Sequence, residues 1–163
     1  MNKMVHMEEL CPMIQELLAG GSTVQLTVTG ISMRPMLLHR RDQVELAKAP
    51  SKLKRCDIPL YQRQNGSYIL HRIVKVEKDG TYTCAGDGQT SLETGVRQEQ
   101  VIAIVQSFTR KGKKISCQNK GYQLYARIWT ALLPIRPILL QMIKRIGKGK
   151  QLLLKLKNKR KHQ

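Results

Sequence analysis

Apolar positions along the chain change period twice, and the two changes divide it into three segments. Over residues 6–19, Met7, Leu10, Met13, Ile14, Leu17 and Leu18 recur at three- and four-residue spacing, which predicts an amphipathic helix. Gly20-Gly21 ends it, and Pro12 is expected at its first turn or at a kink. From Val24 the period falls to two: Val24, Leu26 and Val28 alternate with Gln25, Thr27 and Thr29, as a half-buried strand requires. Further strand-like runs cover 43–48, 58–63, 67–76, 81–85, 101–109 and 113–117, with Asn65-Gly66, Asp79-Gly80 and Lys111-Gly112 as hairpin turns. Runs this short and close leave no room for crossover helices, so residues 22–118 are expected to form a mainly β domain. After Gly121 the period is helical again, through Tyr122, Tyr125, Ala126, Trp129, Leu132 and Leu133. Pro134 and Pro137 break that stripe, and a second one runs through Leu139, Met142, Ile143 and Ile146. The expected layout is a helix over 1–21, the β domain over 22–118 and a basic amphipathic segment over 119–163.

Charge follows this division. The 163 residues carry 29 Lys and Arg against 11 Asp and Glu, a net of +18. Residues 1–109 hold 13 basic and 11 acidic residues, whereas residues 110–163 hold 16 basic and no acidic ones. A uniformly basic coat for nucleic acid is thereby excluded, because the β domain is nearly neutral. The four cysteines (Cys11, Cys56, Cys84, Cys117) form no Cys-x-x-Cys pair and have no ladder of histidines. They are expected as small, buried or half-buried thiols, with no metal and no cofactor implied. No run of about 20 apolar residues is present to span a bilayer. Lys3 followed by Glu8 and Glu9 leaves no apolar core for an export signal. The expected location is the cytoplasm.

Three segments depart from ordinary strand-and-turn composition. Gly30-Ile31-Ser32-Met33-Arg34-Pro35-Met36 places a serine in a turn directly after a strand. His71 interrupts the otherwise apolar run Tyr68-Ile69-Leu70-His71-Arg72-Ile73-Val74. Ala85-Gly86-Asp87-Gly88-Gln89 puts an aspartate after another strand, with Glu93 six residues on. Singly, each reads as a turn serine, a hydrogen-bonded core histidine and an Asp-Gly turn. Together they supply the parts of acyl transfer. A serine hydroxyl needs a base, imidazole suits that task near neutral pH, and a carboxylate can orient the imidazole and support its cation.

These segments, with Arg55-Cys56-Asp57-Ile58-Pro59-Leu60 between the first two, run in the order of the clan of signal peptidase I and the SOS-repressor autopeptidases, which residues 24–117 resemble. With His71 followed by Arg72 at the general-base position, the chain is similar to the Ser/His type found in archaeal and endoplasmic-reticulum signal peptidases. The resemblance implies a signal-peptidase-like coiled β-sheet, with Ser32 as nucleophile, His71 as base and Asp87 as its acidic partner. Glu93 stands where the family often has a second aspartate, and Arg72, Met33 and Gly30 are candidate supporting residues. Cys56 replaces a glycine usual before Asp57, and Gly30 stands where many relatives have a serine that assists the oxyanion hole. That hole would then rest on the Ser32 backbone N–H and its neighbours. An amphipathic helix stands where signal peptidases carry a membrane anchor, so the chain looks more like the small anchorless members. The repressor branch cuts itself at Ala-Gly, and Ala19-Gly20 precedes Ser32 here, but Gly20-Gly21 also fits a plain helix end.

The expected function is a serine endopeptidase that cleaves a peptide, leader or propeptide. The alternative is a non-catalytic peptidase-like module binding peptide or an anionic membrane surface. For the basic segment, Trp129, Tyr125 and Leu152-Leu153-Leu154 beside dense Lys and Arg favour peripheral attachment to anionic lipid through 122–163 at the inner face of the membrane, with docking on a partner or on the protein's own core, followed by a solvated tail, as the next reading. A nucleic-acid-binding arm has no need of those leucines.

Overall fold

A computed structural model describes residues 7–143, 145 and 146. The expectations for Leu152–Leu154 and for the Lys-rich end lie outside these residues. The chain forms two units, Met1–Thr130 and Ala131–Gln163. The first opens with helix α1 (Met7–Ala19), which buries Cys11, Ile14 and Leu18. Met13 and Leu17, expected on the same stripe, are exposed. The 11/14/18 spacing defines one narrow face, and positions 13 and 17 point about 100° away from it. Pro12 lies within α1 rather than at its first turn.

Among the described residues nine strands follow: β1 (Val24–Thr27), β2 (Gln43–Ala47), β3 (Pro59–Gln62), β4 (Tyr68–Leu70), β5 (Arg72–Val76), β6 (Tyr82–Ala85), β7 (Glu93–Val96), β8 (Val101–Arg110) and β9 (Lys113–Ser116). The unit is mainly β, and every strand pair is antiparallel. One sheet of six strands runs β1-β2-β8-β3-β4, with β9 also paired to β8. A second sheet of three strands runs β5-β6-β7. The ten-residue β8 is the spine, pairing with β2, β3 and β9 along its length. The alternating burial of β2 points Val44 and Leu46 into a core shared with Ile14, Leu18, Met36, Leu37, Leu60 and Phe108. A second core holds Leu53, Tyr61, Ile73, Tyr82, Cys84 and Val96.

The run expected as one strand over 67–76 is two strands, β4 in the large sheet and β5 in the small one, broken at His71. Strand β7 has no counterpart in the sequence reading. Its Glu-Thr-Gly-Val carries one apolar side chain, too few to register as a period.

Helix α2 (Lys120–Ala131) is capped by the Asn119 side chain, which accepts the Tyr122 N–H at 3.1 Å. Its Ala126, Trp129 and Thr130 are buried. The Tyr122 ring meets Phe108 edge-on at 5.0 Å, and Tyr125 stacks on Trp129 at 6.1 Å. The first unit thus runs past the expected boundary at 118. Trp129, expected at a lipid interface, is 8% exposed and packed into the protein. In the second unit, Pro134 sits in a 3-10 turn (Leu133–Ile135), and residues 136–143 are helical. Ile135, Ile138, Met142, Ile143 and Ile146 are exposed there. Among the described residues no helix is long and apolar enough to cross a membrane.

Candidate active site

Ser32 sits in a tight turn between β1 and β2. Met33, Met36 and Leu37 are buried beneath it, while Ile31 on the outer side is 67% exposed. Burial of the two methionines and Leu37 anchors the turn, and Ser32 is left half-buried at its rim. Leu37 N–H donates to the Met33 carbonyl at 2.9 Å and Arg34 N–H to the Ile31 carbonyl at 3.2 Å, which sets its curvature. Gly30 enters the turn at φ +97°, a conformation that favours glycine, and its N–H donates to His39 Nδ1 at 2.8 Å. Met33 therefore supports from within the core and Gly30 through its backbone.

The loop after β6 clamps this turn from the other side. Gly88 N–H donates to the Ser32 carbonyl at 2.7 Å. A Cβ on Gly86 would lie 2.5 Å from that oxygen, and one on Gly88 would lie 2.7 Å from the Arg34 carbonyl. Both glycines are needed because backbone packs directly on backbone, a role the sequence reading did not give them. Asp87, between them, is fully buried. Its carboxylate accepts Arg72 Nε at 2.8 Å and Nη2 at 2.7 Å. Arg72 also donates to the Tyr122 hydroxyl and the Cys56 carbonyl, and Trp129 Nε1 donates to the Asp87 carbonyl at 3.2 Å.

His71 lies where the chain crosses from one sheet to the other. It is 6% exposed, and its Nδ1 is buried without a hydrogen-bond partner. Glu93 Oε2 stands 4.0 Å from that nitrogen. Burial lowers the His71 pKa; the Glu93 charge opposes this, Arg63 adds to it, and Asp87 opposes it more weakly. The imidazole is therefore neutral at pH 7. Glu93 is itself fixed, accepting the Tyr61 hydroxyl at 2.6 Å and both Arg63 Nε and Nη2 at 2.6 Å. The Arg63 bonds come first in holding its carboxyl below the usual range, against partial burial. Tyr61 and Arg63 lie two residues apart, the spacing at which side chains at the end of β3 share a face.

Ser32 and His71 line one cavity of about 240 Å³. Its other walls come from Leu26 to Gly30 on one side and Tyr68 to Leu70 on the other. The first segment is the end of β1 with the residues that follow it and the second is β4, and these two strands stand at the ends of the order β1-β2-β8-β3-β4. Among the described residues no hydrogen bond yet joins the Ser32 hydroxyl to His71. The acidic partner expected for His71 was Asp87; the structure instead gives Asp87 to Arg72 and sets Glu93 beside His71. No family model matches the chain, and no curated protein matches it.

Proposed function

We propose that the chain is a serine endopeptidase of the signal-peptidase type, with its β strands in that family's coiled-sheet arrangement. Ser32 is the nucleophile and His71 the base, while Glu93 rather than Asp87 orients the imidazole. The observation that carries this reading is the shared cavity: a turn serine and a neutral, buried histidine face one space, with a carboxylate behind the histidine. A proton on Nδ1, directed at Glu93, leaves Nε2 free to accept. Catalytic hydrogen bonds are often loose before substrate binds, so the unmade Ser32–His71 bond fits a resting site.

In the proposed reaction Ser32 Oγ attacks the scissile carbonyl carbon as its proton passes to His71 Nε2. The C–N bond breaks, and the leaving amine takes that proton. Water, deprotonated by His71, then attacks the acyl-enzyme and releases the acid and free Ser32. Among the described residues the Ser32 and Met33 N–H groups have no acceptor, which suits them to hold an oxyanion. The open edges of β1 and β4 beside the cavity suit a substrate bound extended between them and cut after a small residue. Arg72 and Asp87 position the serine turn and touch no reacting atom.

A fluorophosphonate probe, followed by intact-mass and peptide mapping, tests the reading. Labelling at Ser32 that disappears in His71→Ala is expected. No labelling, or labelling elsewhere, returns the chain to a non-catalytic peptide-binding module.

A second proposal concerns the unit Ala131–Gln163, which contains ten Lys and Arg and no acid. Exposed Ile135, Ile138, Met142, Ile143 and Ile146 beside that charge support attachment to an anionic lipid surface.

A further inference from the structure

Away from Ser32, the first unit has a larger cleft of about 480 Å³, reached between the segment after β2 and the outer turns of α2. Lys52, Lys54, Arg55 and Arg127 stand around it. All four are exposed, and none forms an ion pair among the described residues. Among the described residues one acid lines the cleft, Asp57, which is half-buried, accepts the Lys54 backbone N–H at 2.9 Å and interacts with the Lys54 charge, so four cations are set against a single carboxylate. Three of the four, Lys52, Lys54 and Arg55, come from residues 1–109, which as a whole are nearly neutral. Like charges gathered without partners repel one another, and a bound anion relieves that cost.

The floor of the cleft narrows the choice of anion. It is apolar, formed by Ile58, Ile104, Val105 and Ala126. Gln106, Gln118 and Gln123 supply amides able to pair with a peptide backbone. Single-stranded nucleic acid is typically held in an open basic track with free aromatic faces for its bases. Among the described residues the one aromatic in the lining, Tyr122, already has its ring against Phe108 and Tyr125. We infer that this cleft binds an acidic peptide segment, with its carboxylates on Lys52, Lys54, Arg55 and Arg127 and an apolar side chain on the floor. Nothing in this depends on catalysis at Ser32, and the site is present equally in Ser32→Ala.

The test uses the full chain carrying Ser32→Ala and a short fluorescent peptide alternating Glu and Leu, followed by anisotropy at near-physiological salt. Lys52→Glu, Arg55→Glu and Arg127→Glu together are expected to weaken binding by about tenfold or more. Reversing three tail lysines (Lys148→Glu, Lys150→Glu, Lys155→Glu) changes the charge equally and is expected to cost less than about threefold. Equal losses in the two triple variants would overturn the site, as would the absence of saturable binding. So would displacement of the peptide by a single-stranded oligonucleotide or inorganic phosphate more readily than by unlabelled peptide. A benzophenone-bearing peptide on the chain without charge reversals gives an answer independent of how those variants fold. Adducts within 47–58 and 104–127 are expected, and adducts confined to other segments contradict the assignment.

Discussion

Arg72 and Asp87 meet through two parallel hydrogen bonds of 2.8 and 2.7 Å, both side chains fully buried. The pair ties β5 to the glycine loop that presses on the Ser32 turn. Removing one partner leaves a buried charge unmatched. Asp87→Leu or Arg72→Met is expected to lower unfolding free energy by about 3–5 kcal/mol. Arg72→Met with Asp87→Leu should cost clearly less than the sum of the single changes. Denaturant unfolding of the four proteins measures the coupling, and additive losses would deny it.

Gly86 and Gly88 make a sharper claim about the same contact. A methyl group at either meets backbone oxygen, which cannot swing aside as a side chain can. Gly86→Ala is expected to cost about 1–3 kcal/mol and to displace Ser32. Gly20→Ala, where the added carbon is 3.5 Å from its nearest neighbour, should stay within about 0.5 kcal/mol. Thermal unfolding and fluorophosphonate labelling rates provide the comparison.

Burial lowers the His71 pKa, which favours the neutral base. The labelling rate should rise with pH through a midpoint below the ordinary histidine value of about 6.5. Stability linked to His71 has the same sign: it is complete above that ordinary value and lost as pH falls through the folded one. Glu93→Gln removes a charge that raises the His71 pKa, so the midpoint should move further down while the plateau rate falls. Asp87→Asn, acting from the Arg72 pair, should shift the midpoint less. A larger shift from Asp87→Asn would restore Asp87 as the partner of His71.

Ser32→Ala and His71→Ala should each reduce cleavage of a responsive peptide by about 10³ or more. A substrate is found by incubating an extended-peptide library with the protein and reading the cuts by mass spectrometry. Cleavage of equal rate in Ser32→Ala would end the nucleophile assignment.

Liposome flotation examines the second unit. Full-length chain should float with anionic vesicles, less so as salt rises, and a chain ending at Thr130 should not. Binding that ignores lipid charge would contradict a surface held by Lys and Arg.

The alternation of Val44 and Leu46, the turn dipeptides and the helical spacing of Ile14 and Leu18 were legible because they are local consequences of period and backbone preference. So was the choice of Ser32 and His71 as unusual positions. Helix α2 shows where this stops. Its stripe of Tyr122, Tyr125 and Trp129 has the spacing of a helix face, but spacing does not say whether lipid or protein covers that face. Cys56 is a further case: it takes φ +79°, a conformation in which glycine is the easier residue, and only the fold reveals that demand on the backbone.

The sequence by itself determined the mainly β architecture, the flanking helices, the separation of charge and the residue types of the site. Each depends on neighbours within a few positions. The tertiary structure alone decided which carboxylate faces His71. Asp87 and Glu93 are six residues apart on a loop and the following strand, and both are acids after a β6 that looks unremarkable. What separates them is cross-strand placement. Arg72, next to His71 in sequence, points from β5 to Asp87, whereas Tyr61 and Arg63 at the end of β3 gather Glu93 at the sheet crossing. Adjacent residues project to opposite sides of a strand, so the partner of one is seldom the partner of the next.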